Sequence, residues 1–179
     1  LSAFYFDIRK DSLYCDSKES KKRKSCIIVL NVILESLLKW FAPILSFTTE
    51  EIFKLTNKDR KSIHLEKFIK FPEKFENKKL NEKWIKLKKI RDICNISIEA
   101  KRASKEIGSS LEANLTINLN EELFKITENT NFSELCITSG AKIVKTESND
   151  ITALTVKAEG VKCLVCWKIN QNGCERHPV

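Results

Sequence analysis

Apolar residues return every three or four positions through the first part of the chain. Phe4, Tyr5 and Ile8 fall near one face of a helix expected over residues 1–14, with no N-cap ahead of Leu1. Either Asp16-Ser17 or Ser20 caps a second helix. Along it Cys26, Ile27, Leu30, Ile33, Leu34, Leu37, Leu38 and Phe41 form a strip wide enough to be buried on more than one side, as in a bundle. Pro43 ends or kinks that helix. Thr48-x-x-Glu51 reads as a capping box opening a short helix through Phe53 and Leu55. Residues 57–79 hold no period and read as a long connection. A long helix is then expected over about residues 80–107, with Trp84, Leu87, Ile90 or Arg91, Cys94, Ile98 and Ile107 along one side and Gly108 at its stop.

At residue 113 the rhythm falls to two. Ala113, Leu115, Ile117 and Leu119 alternate with Asn114, Thr116 and Asn118, the pattern of a half-buried strand. Asn120 caps a short helix carrying Leu123, Phe124 and Ile126. Short apolar runs follow at residues 135–137, 143–144 and 154–156, between turn-rich pieces. The pattern is mainly α: a helical bundle over residues 1–107, a small α+β unit over residues 108–158 and a Cys-rich tail over residues 159–179.

Composition narrows the class. The chain has 179 residues, 42% of them hydrophobic, which is globular and enough for a core. It begins with Leu1 and contains no Met, so a piece of a longer chain is expected. The longest apolar run, residues 27–38, is broken by Asn31, Glu35 and Ser36 and is too short to span a membrane. Seven Cys, unevenly spaced and without a secretory signal, point to a reducing compartment, the cytoplasm. Net charge is +8, but it is unevenly spread: residues 1–107 carry net +10 and residues 108–179 net −2. With 26 Lys against 6 Arg, and with Ile and Asn abundant too, part of this excess fits a mutational bias toward A/T-rich codons. The asymmetry fits either a surface for a polyanion or a solvated lysine-rich face.

The sharpest local chemistry is Cys163-x-x-Cys166 followed by Cys174-x-x-His177. Two ligands two residues apart form a knuckle, and two knuckles supply the four N/S donors that Zn²⁺ prefers. Soft thiolates favour zinc or iron–sulfur, and a closed set of four leaves no position for substrate, so the reading is one structural Zn²⁺, against an incidental Cys pair in a Cys-rich chain. Either His177 or a ligand beyond Val179 completes the set. Cys26, Cys94 and Cys136 sit in apolar runs and read as core, Cys136 within a strand. Trp167, followed by Lys168, is either a lid over the sulfurs or a platform for a base. Lys18, Lys21, Lys22, Arg23 and Lys24 open the second helix, and Arg91, Lys101, Arg102 and Lys105 lie along the long one. Each group is either solvated or set against phosphates. Two distant His and four scattered Gly provide neither a catalytic constellation nor a phosphate loop.

Five segments carry a resemblance: residues 1–14 (LSAFYFDIRKDSLY), 39–53 (KWFAPILSFTTEEIF), 107–113 (IGSSLEA), 138–141 (TSGA) and the Cys163-x-x-Cys166-Trp167 knuckle. In this order they resemble the C-terminal region of bacterial-type isoleucyl-tRNA synthetases, class I. The first two are shared with valyl and leucyl relatives, and the last three favour isoleucine. The resemblance implies a helical anticodon-binding domain (1–107), an α+β junction (108–158) and a zinc-binding tail (159–179) that helps hold the anticodon loop. It favours the platform reading of Trp167, beside Lys168, and with it Arg23, Arg91, Lys101 and Arg102, read from their positions, are the candidate phosphate contacts. The parent would attach isoleucine to its tRNA with ATP through an aminoacyl-adenylate, ATP binding only in a catalytic domain outside this chain. The family's His-x-Gly-His and Lys-Met-Ser-Lys-Ser signatures cannot be present in a chain without Met and with two distant His. Implied partners are the isoleucine-accepting tRNA and the remainder of the synthetase chain, as a cytoplasmic monomer away from membranes. Two departures stand out. Leu164-Val165 replaces the family's Pro-Arg, and His177 replaces a fourth Cys. The alternatives are a stand-alone zinc-stabilised RNA-binding module, or the same region of a valyl or leucyl enzyme.

Overall fold

The computed structural model describes residues 2–57, 59 and 61–177. It is mainly helical with a small sheet, and its contacts cluster into two compact units, Ser12–Glu76 and Leu1–Asp11 with Asn77–Val179. The expected helical start at Leu1 lies outside the described residues. A π-helical turn, Ser2–Phe6, runs into α1 (Asp7–Cys15).

In the unit Ser12–Glu76, α2 (Lys21–Phe41) is capped by Ser20, whose hydroxyl accepts the Arg23 N–H. Of the two expected caps, Ser20 is the one used. The helix α3 (Ser46–Thr56) starts two residues before Thr48, so the expected capping box does not form. Thr49, buried one turn in, instead donates its hydroxyl to the Leu45 carbonyl. The pair closes over Leu38, Ala42, Phe53 and Ile63, with Leu34 and Ile52 packed against them. Ile63 reaches this core from the connection, on a 3₁₀ turn (Ile63–Leu65) held by Glu50, which accepts the Ile63 N–H at 2.9 Å and the Ser62 hydroxyl at 2.9 Å. Lys39 is buried beside Glu35 at 2.7 Å and Glu66 at 3.7 Å. Two members of the expected α2 strip, Ile27 and Phe41, are exposed.

In the other unit, α4 (Lys78–Ala103) is capped by Asn77, which accepts the Leu80 N–H. Its apolar side buries Leu87, Ile90, Cys94 and Ile98 in one core with Ile8, Ile107, the inward residues of a sheet, Phe132, Leu135 and Cys136. The sheet order is β2-β1-β3, from β1 (Ala113–Leu119), β2 (Gly140–Lys145) and β3 (Thr152–Lys157). β1 runs parallel to β2 and antiparallel to β3. Its alternation is as expected, with Ala113, Leu115, Ile117 and Leu119 all buried. Ser97 on α4 and buried Thr155 on β3 share a hydrogen bond at 2.7 Å, fixing the helix to the sheet.

The sequence expectation of one bundle over residues 1–107 therefore differs from how the contacts cluster. An amphipathic stripe requires α4 to be buried but does not choose its partner. The inward row of β1 supplies a flat apolar face, and α4 packs there. Between β1 and β2 the chain forms α5 (Glu121–Thr127), capped by Asn120 as expected, and α6 (Phe132–Leu135). Cys136 ends α6, a correction to its expected place in a strand; it remains core, as do Cys26 and Cys94. The end of α4 is also corrected. The helix stops at Ala103, and Lys105, not Gly108, takes the left-handed conformation at φ 58°. Gly108 lies beyond that end, its N–H donated to the Glu112 carboxylate at 2.9 Å. Among the described residues no helix is long and apolar enough to cross a membrane.

Candidate metal centre and nucleic-acid interface

After β3 the chain forms a small hairpin, β4 (Val161–Lys162) against β5 (Ile169–Asn170), antiparallel. Gly160 leads into it at φ 125°, and a Cβ there would lie 2.4 Å from the Asn170 backbone. Only glycine permits that approach. The loop between the strands folds back on itself. Trp167 donates its N–H to the Cys163 carbonyl at 3.0 Å, and Cys163 donates its N–H to the Lys168 carbonyl at 2.9 Å. The Val165 N–H points at the Cys163 sulfur at 3.4 Å. After Gly173, at φ 80°, a second turn closes when His177 donates its N–H to the Cys174 carbonyl at 3.2 Å.

These two turns bring the four expected ligands together. One donor atom from each of Cys163, Cys166, Cys174 and His177 lies within 4.8 Å of all the others. Cys166 Sγ and Cys174 Sγ are 3.7 Å apart. His177 Nδ1 lies 3.5 Å from Cys163 Sγ and 3.3 Å from Cys174 Sγ. A zinc tetrahedron with ordinary Zn–S and Zn–N bonds separates sulfurs by ~3.8 Å and sulfur from nitrogen by ~3.6 Å. The donors therefore fit a tetrahedral ion in spacing as well as in chemistry. Cys163 and Cys166 are buried, and Cys174 and His177 half-buried. The Cys163 thiol is held down to about 6, foremost by the Cys166 backbone N–H, with the Val165 N–H, the Cys166 thiol and His177 adding to the effect against burial. A thiol poised to ionise suits a metal ligand. The alternative of a ligand beyond Val179 lies outside the described residues.

The expected RNA contacts separate into different situations. Trp167 is 60% exposed on the cluster loop and adopts φ 63°, costly for a bulky side chain, while Lys168 beside it is half-buried. Lys101 and Arg102 sit together in the last turn of α4, paired with Glu106 and Glu99, each at 2.7 Å. Arg91 has structural work: its Nε donates to the Leu135 carbonyl at 2.8 Å and its guanidinium lies 5.4 Å over the Phe4 ring. Arg23 belongs to the other unit, where it donates to the Asp16 carbonyl at 3.3 Å. Two residues whose link to the ligands the sequence did not show, Ser139 and Arg176, also bear on the cluster. Ser139 accepts the Ile169 N–H, and Arg176, between two of the ligands, is forked onto Asp11.

Residues 1–117 match the family model described as the anticodon-binding domain of tRNA ligase, and the chain belongs to that family. Its relatives narrow the class. It is 70% identical over 177 residues, 99% of the chain, to the isoleucine–tRNA ligase of Pelagibacter ubique. It is 39% identical to that of Agrobacterium fabrum over 94% of the chain, and 40% identical to that of Bartonella quintana over 96%. The chain spans only about a fifth of the length of these curated relatives, 20%, 19% and 19% respectively.

Proposed function

We propose that this chain is the tRNA-holding, C-terminal portion of an isoleucine–tRNA ligase, the enzyme that attaches isoleucine to its tRNA with ATP through an aminoacyl-adenylate. The observation that carries this reading is the 70% identity, across 99% of the chain, to a protein of that name. The consistent naming of the relatives supports isoleucine over valine or leucine, and supports a part of a ligase over a stand-alone module. In this reading residues 1–107 bind the anticodon arm, residues 108–158 form the junction and residues 159–179 form a zinc-binding tail. These functional segments need not coincide with the compact packing units, because α4 serves both a surface and a core. The chain's partners are the isoleucine-accepting tRNA and the rest of the ligase, acting as a monomer in the cytoplasm.

The tail reading rests on the donor set. Cys163, Cys166, Cys174 and His177 hold one Zn²⁺, which supplies folding energy to a segment with almost no apolar core of its own. Trp167 presents its ring for a splayed base, and Lys168, Lys101 and Arg102 face the backbone. Arg23 is a phosphate contact of its own unit, on α2. Arg91 supports the surface by fixing α4 to α6.

The test is binding of the whole chain to isoleucine-accepting and valine-accepting tRNA, with metal content measured on the same sample. The expected result is preference for the isoleucine acceptor, about one zinc per chain, and no isoleucine-dependent ATP–pyrophosphate exchange. Equal binding to both tRNAs counts against the anticodon reading, and a metal-free folded tail counts against the zinc site.

A further inference from the structure

Residues 107–113, residues 138–141 and the strand that follows the 163–167 loop, far apart in sequence, are drawn together by one hydroxyl. Buried Ser139 donates its hydroxyl to the Leu111 carbonyl and accepts the Ile169 N–H at 2.7 Å. Its own backbone N–H donates to the Ala113 carbonyl at 3.0 Å. Ile169 opens β5, two residues after Trp167, and pairs across the hairpin with Lys162, which precedes Cys163. The hydroxyl thus fastens the base of the loop that presents Cys163 and Cys166.

The other half of the cluster has its own fastening. Arg176 lies between Cys174 and His177 and donates to both carboxylate oxygens of Asp11, at 2.7 and 2.8 Å. A two-point fork of this kind fixes direction as well as distance. Each pair of ligands is therefore pinned to a part of the fold that contributes no ligand.

We propose that Ser139 is a positioning residue for the metal site: by bridging the Leu111 carbonyl and the Ile169 N–H, it seats the Cys163–Cys166 loop on the sheet where Cys174 and His177, held through Arg176 and Asp11, complete the tetrahedron. This rests on the reading of the cluster as a metal site. Bringing four donors from two short loops to one point costs conformational freedom. A loop already seated has less left to lose when an ion binds, so the loaded site is tighter. Linkage makes the effect reciprocal: an ion that favours the seated loop also strengthens the bonds that seat it.

The test is titration of the whole 179-residue chain with Co²⁺, which reports tetrahedral sulfur–nitrogen coordination through its visible d–d bands. Ser139→Ala is expected to weaken Co²⁺ binding about ten- to a hundredfold, the range for residues that orient ligands. Ser139→Thr keeps the hydroxyl and is expected to bind like the unaltered chain. Ser139→Ala with unaltered affinity and bands overturns the proposal. The unaltered chain provides a second measurement that needs no variant to fold. On adding metal, amide exchange at Ser139 and Ile169 should slow together, whereas slowing confined to residues 163–167 and 174–177 overturns the coupling. A chain that takes up no Co²⁺ removes the metal reading itself, and the proposal with it.

Discussion

The Lys101 ammonium lies 2.7 Å from the Glu106 carboxylate, bridging the end of α4. Beneath that pair the Glu106 N–H donates to the Lys101 carbonyl at 3.1 Å, and the Lys105 N–H to the Arg102 carbonyl at 3.0 Å. This is the doubly closed helix end in which the residue after the cap turns left-handed, here Lys105. An ion pair stands where two apolar side chains often meet. Lys101 and the Ser104 hydroxyl hold the Glu106 carboxyl below its usual range.

The pair is too weak to withhold Lys101 from a phosphate. Exposed ion pairs are worth about 0.2–1 kcal/mol, less than the counterion release that accompanies a phosphate contact at low salt. Replacing Lys101 and Arg102 together with Ala is expected to weaken tRNA binding. It should also reduce the slope of log affinity against log salt by about two. Filter binding over a salt series measures this, and an unchanged slope places the phosphate contacts elsewhere.

Lys105→Gly should stabilise the chain. A side chain in the left-handed region costs about 1–2 kcal/mol, and glycine returns part of that gain through its freer unfolded state. The expected net is about 0.5–1 kcal/mol, read as a raised midpoint in urea unfolding. The same change at Gly108, reversed to Ala, should have little effect on the helix end, because α4 has already stopped.

Gly160→Ala should cost the tail its hairpin. The new methyl would meet the Asn170 backbone in a strained conformation, a penalty of about 1–3 kcal/mol before the clash is counted. Weaker metal uptake by a chain whose α-helical signal is unchanged is the expected result. Wild-type uptake would mean the hairpin can shift without disturbing the ligands.

Glu50 predicts an acid sensitivity in the α2–α3 unit. The Ile63 N–H, with the Ser62 hydroxyl and Lys54, holds its carboxyl below the usual value of 4.5. A depressed carboxyl contributes stability above its ordinary pKa and loses it as pH falls through the lower folded value. Stability of the unaltered chain should therefore drop on acidification below about 4.5, the ordinary glutamate range. The Glu50→Gln variant should be weaker at neutral pH and flatter below. Denaturant unfolding at several pH values measures both, and parallel curves would show that Ile63 does not depend on the charge.

Local chemistry was legible wherever a few neighbouring residues settle it. Ser20 and Asn120 cap because a short polar side chain reaches the next turn's N–H groups, and β1 alternates because a strand turns each successive residue to the opposite face. The four candidate ligands fall within fifteen consecutive residues, so spacing alone nominated them, and two tight turns were enough to gather their donor atoms. The ends of helices were less legible. Thr48 and Gly108 have the right residue types for an end, but the chain turns at Leu45 and Lys105 instead, because backbone hydrogen bonds can close on several nearby residues at similar cost.

Tertiary structure decided what each face meets. The stripe on α4 determined that it is buried, yet only the closed fold set it against the inward row of β1, with Ser97 and Thr155 hydrogen-bonded beside that core. Arg91 reads in the sequence as a candidate phosphate contact, or with Ile90 as part of the buried side, and the Leu135 carbonyl and the Phe4 ring take it inward. Ser139 lies in the 138–141 segment that carries part of the resemblance, but nothing local says what its hydroxyl meets. Its role depends on a carbonyl 28 residues before it and an N–H 30 residues after it. Patterns of three to seven residues record which groups want partners, because hydrophobicity, capping and ligand chemistry are local properties. Which distant group satisfies each of them is fixed only when the chain closes on itself and buried polar atoms must be paired.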